Sequence, residues 1–171
     1  MTISPSDPFA TPDHLRSPVR RLRGRLPSAV TLWTARDGRG APVGLTVSST
    51  LVVDGDPARL LGVVDEESEL WAAIEDTRRF AVTVLASDDR QLADRFAGLM
   101  PAPGGLFAGD GWRESGYGPV PAGRETLAGC RLDGARPVGW GLLVEATIET
   151  VALGGAEAPL VHYRGRYRDL A

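Results

Sequence analysis

The sequence lacks several residue types on which common classes of active site depend. Lysine and asparagine are absent, all nineteen basic residues are arginine, and only two histidines and one cysteine occur among 171 residues. The missing lysine excludes a Schiff base or a lysine nucleophile. Because His14 and His162 are the only imidazoles, no histidine pair has metal-ligand spacing, and classical triad hydrolysis is disfavoured. The single Cys130 permits no internal disulfide, and its strand context predicts a buried, inert thiol.

Charge and hydrophobic runs set further limits on partners. Nineteen basic and twenty-two acidic side chains give a net charge of -3, with a pI near 5.4. The overall positive field that binds a phosphate backbone is therefore missing, and we expect no nucleic-acid partner. The sequence shows no apolar stretch of about 20 residues and no signal-peptide core, so we expect a cytoplasmic protein with no membrane partner.

Length and composition predict one folded domain. A chain of 171 residues with 43% hydrophobic residues can build a single core of ordinary size. Its 21 glycines and 13 prolines indicate many turns. Residues 1–17 combine proline with small polar residues and predict a flexible N-terminal arm. Residues 18–171 then form the single domain.

Local patterns predict a mainly β fold with short helices. Predicted helices cover residues 19–26, 67–76 and 88–97, with Ser17, Ser68 and Ser87 as N-caps. Predicted strands cover residues 29–34, 41–53, 59–64, 79–85, 126–132, 140–151 and 160–167. The segment 98–124 is a long irregular excursion of the functional or mobile kind. Six or seven strands joined mostly by hairpins favour an antiparallel barrel over a parallel α/β sheet.

The segment Thr46-Val47-Ser48-Ser49-Thr50 places four hydroxyl residues among five positions of an otherwise apolar strand. Side chains alternate between the two faces of a strand, so small donors lie beside backbone amides on both faces. Such an array suits an anion or a flat polar ring. The alternative, that neighbouring strands satisfy these hydroxyls, remains open at this point.

Several motifs occur in an order and spacing that resemble one known family. They are Pro27-Ser28-Ala29-Val30-Thr31, Gly44-Leu45-Thr46-Val47-Ser48-Ser49, the polar strand end Asp65 with the capping Ser68, the strand Phe80 to Leu85, the helix segment Leu92 to Phe96, and Arg164-Gly165-Arg166-Tyr167. Together they resemble the flavin reductase-like, FMN-binding split-barrel family, which includes short-chain flavin reductases of two-component monooxygenases. The resemblance covers residues 26–98 nearly continuously and residues 160–167.

This resemblance implies a split β-barrel of six or seven antiparallel strands that forms a homodimer with flavin at the interface. The implied activity is hydride transfer from NADH or NADPH to FMN, or to FAD, with a partner monooxygenase as recipient of the reduced flavin. The implied cofactor-binding residues are Thr46, Val47, Ser48, Ser49, Thr50, Asp65, Ser68, Arg95 and Phe96. Of these, Ser68 and Arg95 are expected to address the phosphate. The implied substrate-binding residues are His162 and Tyr163.

The chain departs from the family pattern at three places. The Asp-Pro-Pro usual before the third strand is reduced to Asp56-Pro57-Ala58, and the histidine usual two residues before the late glycine is replaced by Tyr163, with His162 one place earlier, where a strand side chain faces the opposite side.

The third departure concerns the nicotinamide. Members commonly carry Gly-Asp-His before the late long strand, with the histidine near the nicotinamide, whereas residues 133–141 contain no histidine. This departure favours an alternative function, a flavin or deazaflavin carrier that does not oxidise NAD(P)H. Trp140 in this segment, and Trp112 in the excursion, could cover a ring face, although packing in the core or an interface is the commoner role.

Overall fold

The computed structural model describes residue 15 and residues 17–170. The arm predicted for residues 1–17 therefore lies almost entirely outside the described residues. Three α-helices are present: α1 (Pro18–Gly24), α2 (Glu69–Thr77) and α3 (Arg90–Phe96). Within the described ranges, no helix is long and apolar enough to cross a membrane.

Twelve strands are assigned along the described chain. They are β1 (Ser28–Ala29), β2 (Thr31–Arg36), β3 (Pro42–Val47), β4 (Thr50–Val53), β5 (Arg59–Val64), β6 (Arg79–Val84), β7 (Trp112–Glu114), β8 (Pro119–Pro121), β9 (Leu127–Val138), β10 (Gly141–Ala152), β11 (Val161–Tyr163) and β12 (Arg166–Arg168). Seven of them form the main sheet in the order β3-β2-β6-β9-β10-β5-β4, and all its pairs are antiparallel. The predicted mainly β, antiparallel barrel with short helices is confirmed.

Side chains close this sheet by joining β2 to β4 and β5 across the barrel. The hydroxyls of Thr31 on β2 and Thr50 on β4 are 2.9 Å apart, and the indole N–H of Trp33 lies 3.1 Å from the first and 3.2 Å from the second. A Cβ on Gly62 would lie 2.5 Å from the Trp33 ring, so glycine is required there for the two sides to approach. We call these four residues the barrel closure.

The main core lies inside the curled sheet and under α2. Trp33 stacks on Phe80 with ring centroids 4.9 Å apart, and both are fully buried. Cys130 belongs to the same cluster, and burial raises its pKa to about 12, so the thiol stays protonated at neutral pH. Its predicted inert role agrees with this environment.

Several local predictions differ from the structure. The single strand expected over residues 160–167 is a hairpin of β11 and β12, because Arg164 and Gly165 both take a positive φ and turn the chain. The single strand expected over residues 41–53 breaks at Ser48 and Ser49, because β3 pairs with β2 while β4 crosses to pair with β5. The expected cap Ser87 instead begins a 3₁₀ turn, Ser87–Asp89. The carboxylate of Asp89 accepts the amide of Ala86 at 2.8 Å, and α3 begins only at Arg90.

Candidate functional site

Three turns lie together at one end of the main sheet. They are the β3–β4 turn (Ser48, Ser49), the β5–α2 turn (residues 65–68) and the β9–β10 turn (Gly139, Trp140), and we call them the turn cluster. The Ser49 hydroxyl donates to the carbonyl of Val63 at 2.9 Å and accepts its amide at 3.0 Å. On the other side of β5, Val64 pairs with Leu142 at the start of β10. The turn cluster therefore gathers residues that are far apart in sequence.

Most hydroxyls of the Thr46–Thr50 segment are committed within the chain. Thr46 donates to the carbonyl of Ala93 at 2.7 Å, and Ser49 donates to Val63. Thr31 donates its proton to the carbonyl of Val47 at 2.7 Å, so in the Thr31–Thr50 pair Thr50 must be the donor. Contact of a flavin with the hydroxyl protons of Thr46, Ser49 and Thr50 would thus require breaking existing hydrogen bonds.

Ser48 is the exception in that segment. It is half-buried, and among the described residues its hydroxyl has no hydrogen-bond partner. The backbone amides of Ser48 and Ser49 lie outside the strand ladders and donate to no oxygen of the described chain. Donors without internal partners are what a ring oxygen or an anion can bind without a competing loss. This turn therefore retains three donors for a ligand.

The predicted residues Asp65 and Ser68 form a capped helix start. The Ser68 hydroxyl accepts the amide of Trp71 at 3.1 Å and donates to the carbonyl of Asp65 at 2.7 Å, while the Asp65 carboxylate accepts the amide of Glu67 at 2.9 Å. Because the Ser68 hydroxyl already donates its proton to the Asp65 carbonyl, it cannot also donate to a phosphate in this arrangement. The exposed carboxylates at positions 65–67 also disfavour an anion at this turn.

The remaining predicted cofactor residues lie on or against α3. Phe96 is buried, with ring centroids 5.0 Å from Phe107 and 5.6 Å from Trp112. Its ring is therefore part of the second hydrophobic cluster, against which Trp112 packs, and a contact of Phe96 with a cofactor stays a prediction that would involve its backbone. Val47 is likewise buried in the main core, so only its backbone can face a ligand.

Arg95 lies on α3, two residues after Ala93, whose carbonyl accepts the hydrogen bond of Thr46. Its guanidinium makes one long contact, 3.4 Å to the carbonyl of Gln91, and it has no carboxylate partner among the described salt bridges. Positive charge also accumulates on α1 and its C-cap, where residues 20, 21, 23 and 25 are arginine. These segments contrast in charge with the acidic turn at 65–67.

His162 contributes an unpartnered polar atom near α1. It pairs with Ser28 on β1 and with Tyr167 on β12, and its Nε2 is buried without a hydrogen-bond partner among the described residues. Burial, followed by the charge of Arg23, lowers the pKa of His162 from its usual 6.5, so the imidazole is neutral at pH 7. A buried nitrogen of this kind indicates an absent hydrogen-bonding partner.

Sequence patterns did not reveal how His162 is connected to α3. The Tyr167 hydroxyl donates to the Asp94 carboxylate at 3.0 Å, and the His162 and Tyr167 rings meet edge to face at 6.0 Å. The carbonyl of Gly24 accepts the amide of Arg164 at 2.8 Å, which ties the β11–β12 turn to α1. The predicted residues Thr46, Arg95 and His162 are thus linked through α3, whereas Tyr163 makes no side-chain hydrogen bond to the described chain.

The turn cluster is an open surface and not a closed pocket. A cavity of about 240 Å³ is present on α1, lined by Pro18, Arg21, Leu22 and Arg25, and no predicted site residue contributes to it. Among residues 17–170, no group of three or more acidic, histidine or cysteine side chains could hold a metal ion. The donors at Ser48 and Ser49 therefore fit an organic ring ligand or an anion better than a metal ion.

Comparisons with known proteins agree on one family. The flavin reductase like domain matches residues 23–171. The chain is 31% identical over 152 residues to the reductase subunit HsaB of a flavin-dependent monooxygenase from Rhodococcus jostii, covering 88% of this chain and 76% of that protein. It is 32% identical over 153 residues to the FMN reductase (NADH) RutF 1 of Methylorubrum extorquens, covering 88% and 75%.

A solved structure supports the same relationship. Nitrilotriacetate monooxygenase component B from Mycobacterium thermoresistibile superposes with a TM-score of 0.79 at 28% identity, covering 90% of this chain and 85% of that one. The residues matched by the family domain, 23–171, include β1 to β12.

Proposed function

The chain belongs to the flavin reductase-like domain family, and on that premise we propose that it is an NAD(P)H-dependent flavin reductase that binds FMN, or FAD, at the turn cluster. The observation that carries the proposal is the β3–β4 turn, where the Ser48 hydroxyl and the amides of Ser48 and Ser49 lack internal partners. These donors suit the carbonyl oxygens and ring nitrogens of an isoalloxazine. The flavin supplies the redox chemistry by accepting a hydride from the nicotinamide.

The tasks left to the chain are orientation and shielding, which fits a sequence with only two histidines and no lysine. We propose that Ser48 and the amide of Ser49 orient the ring, and that Thr46, Ser49 and Thr50 support them through their internal hydrogen bonds. We propose that Arg95, which has no carboxylate partner among the described salt bridges, binds the flavin phosphate. Its guanidinium can donate two parallel hydrogen bonds to phosphate oxygens. Neutral His162 then offers Nε2 to the substrate as a hydrogen-bonding atom, with Tyr163 beside it.

We further propose a homodimer whose seam includes the turn cluster. β4 is an edge strand of the main sheet, and its residues Leu51, Val52 and Val53 are 44–62% exposed. An apolar, unpaired strand edge tends to pair with another chain. A second subunit at this edge would bury those side chains and supply the missing wall of the ring site. A solution-mass measurement with and without FMN tests this assembly.

A partner monooxygenase is the recipient that we propose for the reduced flavin, since relatives carry the names of monooxygenase reductase components. We also propose a cytoplasmic location, because the chain has one cysteine, buried in the core, and hence no internal disulfide. The alternative of a flavin carrier keeps one specific argument, the absence of histidine from residues 133–141.

Two measurements test the proposed activity. FMN fluorescence is titrated with the purified protein, and saturable quenching with micromolar or better affinity is expected. Absorbance at the nicotinamide band is then followed with FMN and either NADH or NADPH, and FMN-dependent oxidation is expected. Binding without oxidation of either nucleotide would support the carrier, and unchanged FMN fluorescence would contradict both functions.

A further inference from the structure

Trp140 exposes its whole indole at the tip of the β9–β10 hairpin. Its side chain has 106% of the reference exposed area, although a tryptophan can bury about 150–250 Å² of surface. The turn has only two residues, because Val138 pairs with Gly141, and Gly139 takes a positive φ of 56°. Two-residue turns favour glycine, asparagine and aspartate, so an exposed indole at this position is not explained by the turn itself.

The base of the turn that carries this indole packs beside the proposed ring site. A Cβ on Gly141 would lie 2.6 Å from the side chain of Val63 and 3.2 Å from the carbonyl of Val64, so the hairpin packs closely on the end of β5. Val63 is also the residue whose amide and carbonyl both bond to Ser49. A chain of direct contacts therefore joins the base of the Trp140 turn to the β3–β4 turn.

We propose that the Trp140 indole stacks on the planar heteroaromatic ring bound at the turn cluster, either the isoalloxazine or the nicotinamide. The proposal rests on the proposed function, because it assumes that this surface binds flavin. A planar ring gains from an aromatic face whatever its substituents, and oxidised nicotinamide, being a cation, gains further from the electron-rich face of an indole. Exposed Val63 and Val138 add apolar surface beside it.

This role differs from the two that sequence patterns favoured for Trp140. Core packing is excluded by its exposure. Packing in a subunit interface predicts that its removal weakens the dimer, whereas ring stacking predicts that its removal weakens ligand binding and leaves the assembly intact. Members of the family commonly carry a histidine in the segment that corresponds to residues 133–141. In this chain the Trp140 indole, which does not titrate, would bind the ring there.

The test compares Trp140→Ala and Trp140→Phe with the unmodified protein, and Leu153→Ala serves as the matched control. Leu153 is also highly exposed, at 81%, and it lies just beyond the opposite end of β10. FMN is titrated by fluorescence in the absence of nucleotide, NAD⁺ is then titrated into the FMN-loaded protein, and solution mass is recorded for each variant.

Trp140→Ala is expected to raise the dissociation constant of one of the two ligands about tenfold, corresponding to ~1.4 kcal/mol. Trp140→Phe is expected to retain binding within about threefold, and Leu153→Ala to leave it unchanged. Weakened FMN binding would identify the isoalloxazine as the stacked ring, and weakened NAD⁺ binding alone would identify the nicotinamide.

Three results would overturn the inference. If Trp140→Ala binds both ligands as the unmodified protein does, the stacking role fails while the proposed function stands. If Trp140→Ala becomes a monomer, the indole is a subunit contact. If the unmodified protein binds no FMN, the proposed function and this inference fail together.

Discussion

Ser48 and Thr50 are two residues apart, yet they belong to regions with opposite properties. Thr50 lies in the barrel closure, where its hydroxyl joins Thr31 and the Trp33 indole. Ser48 lies in the turn cluster, where its hydroxyl and amide have no partner in the described chain. Within one hydroxyl-rich segment, therefore, the Thr50 hydroxyl stabilises the barrel through internal hydrogen bonds, whereas the Ser48 hydroxyl is free to bind a ligand.

The two tryptophans Trp33 and Trp140 provide the largest contrast between these regions. Trp33→Ala removes a fully buried ring that stacks on Phe80, so we expect the free energy of unfolding to fall by about 3–5 kcal/mol. Trp140→Ala removes a fully exposed ring, so we expect a change within about 0.5 kcal/mol. Urea denaturation of both variants measures the difference, and similar losses would show that the two regions are not distinct.

The hydroxyls of Thr50 and Ser48 provide a smaller contrast. Thr50→Val keeps the shape but leaves the buried Trp33 N–H and Thr31 with one partner fewer, and we expect a loss of about 1–3 kcal/mol in unfolding free energy. Ser48→Ala breaks no internal hydrogen bond and should be nearly neutral for stability, while FMN binding weakens severalfold. Equal stability of the two variants, or undiminished FMN affinity of Ser48→Ala, would contradict this division.

Local sequence patterns predicted where helices and strands lie better than they predicted which strands pair. The bounds of β5 and the helix cap at Ser68 follow from local pattern, because strand propensity and capping act over a few residues. The break at Ser48 and Ser49 could not be predicted locally. It depends on β4 pairing with β5 across the sheet, a contact between residues that lie apart in the chain.

The same limit applies to the candidate site. The hydroxyl segment drew attention to the β3–β4 turn, whose role in flavin binding stays a prediction. The donors of Thr46 and Ser49 are taken by carbonyls of Ala93 and Val63, which only tertiary structure places there. Phe96 fits the family motif and is nevertheless buried by the aromatic residues of the 98–124 excursion. Sequence patterns favoured core or interface packing for Trp140, whereas the structure exposes its whole indole.

The smallest expected effect on stability concerns His162 on β11, which belongs to neither region. Its pKa is lowered below 6.5 in the folded chain by burial and by Arg23, so the unfolded chain binds more protons as the pH falls through 6.5. Stability is therefore fully present above that value and decreases as the pH falls toward the folded pKa.

His162→Gln should remove this decrease. Urea denaturation of the variant and of the unmodified protein between pH 7.5 and 5, a window chosen to span roughly one unit either side of the free imidazole value, measures the difference. His14 is present in both proteins, so it cancels. A pH dependence that is the same in both would mean that His162 is not the group responsible.

The most direct test of the account is a calorimetric titration of FMN into Ser48→Asp. This substitution places a carboxylate among the unpartnered donors of the turn cluster, and Ala156→Asp, at an exposed loop position, adds the same charge elsewhere. We predict that Ser48→Asp loses measurable FMN binding while it keeps the unfolding transition of the unmodified protein, and that Ala156→Asp binds FMN normally. Full FMN affinity in a folded Ser48→Asp protein would show that the flavin binds elsewhere.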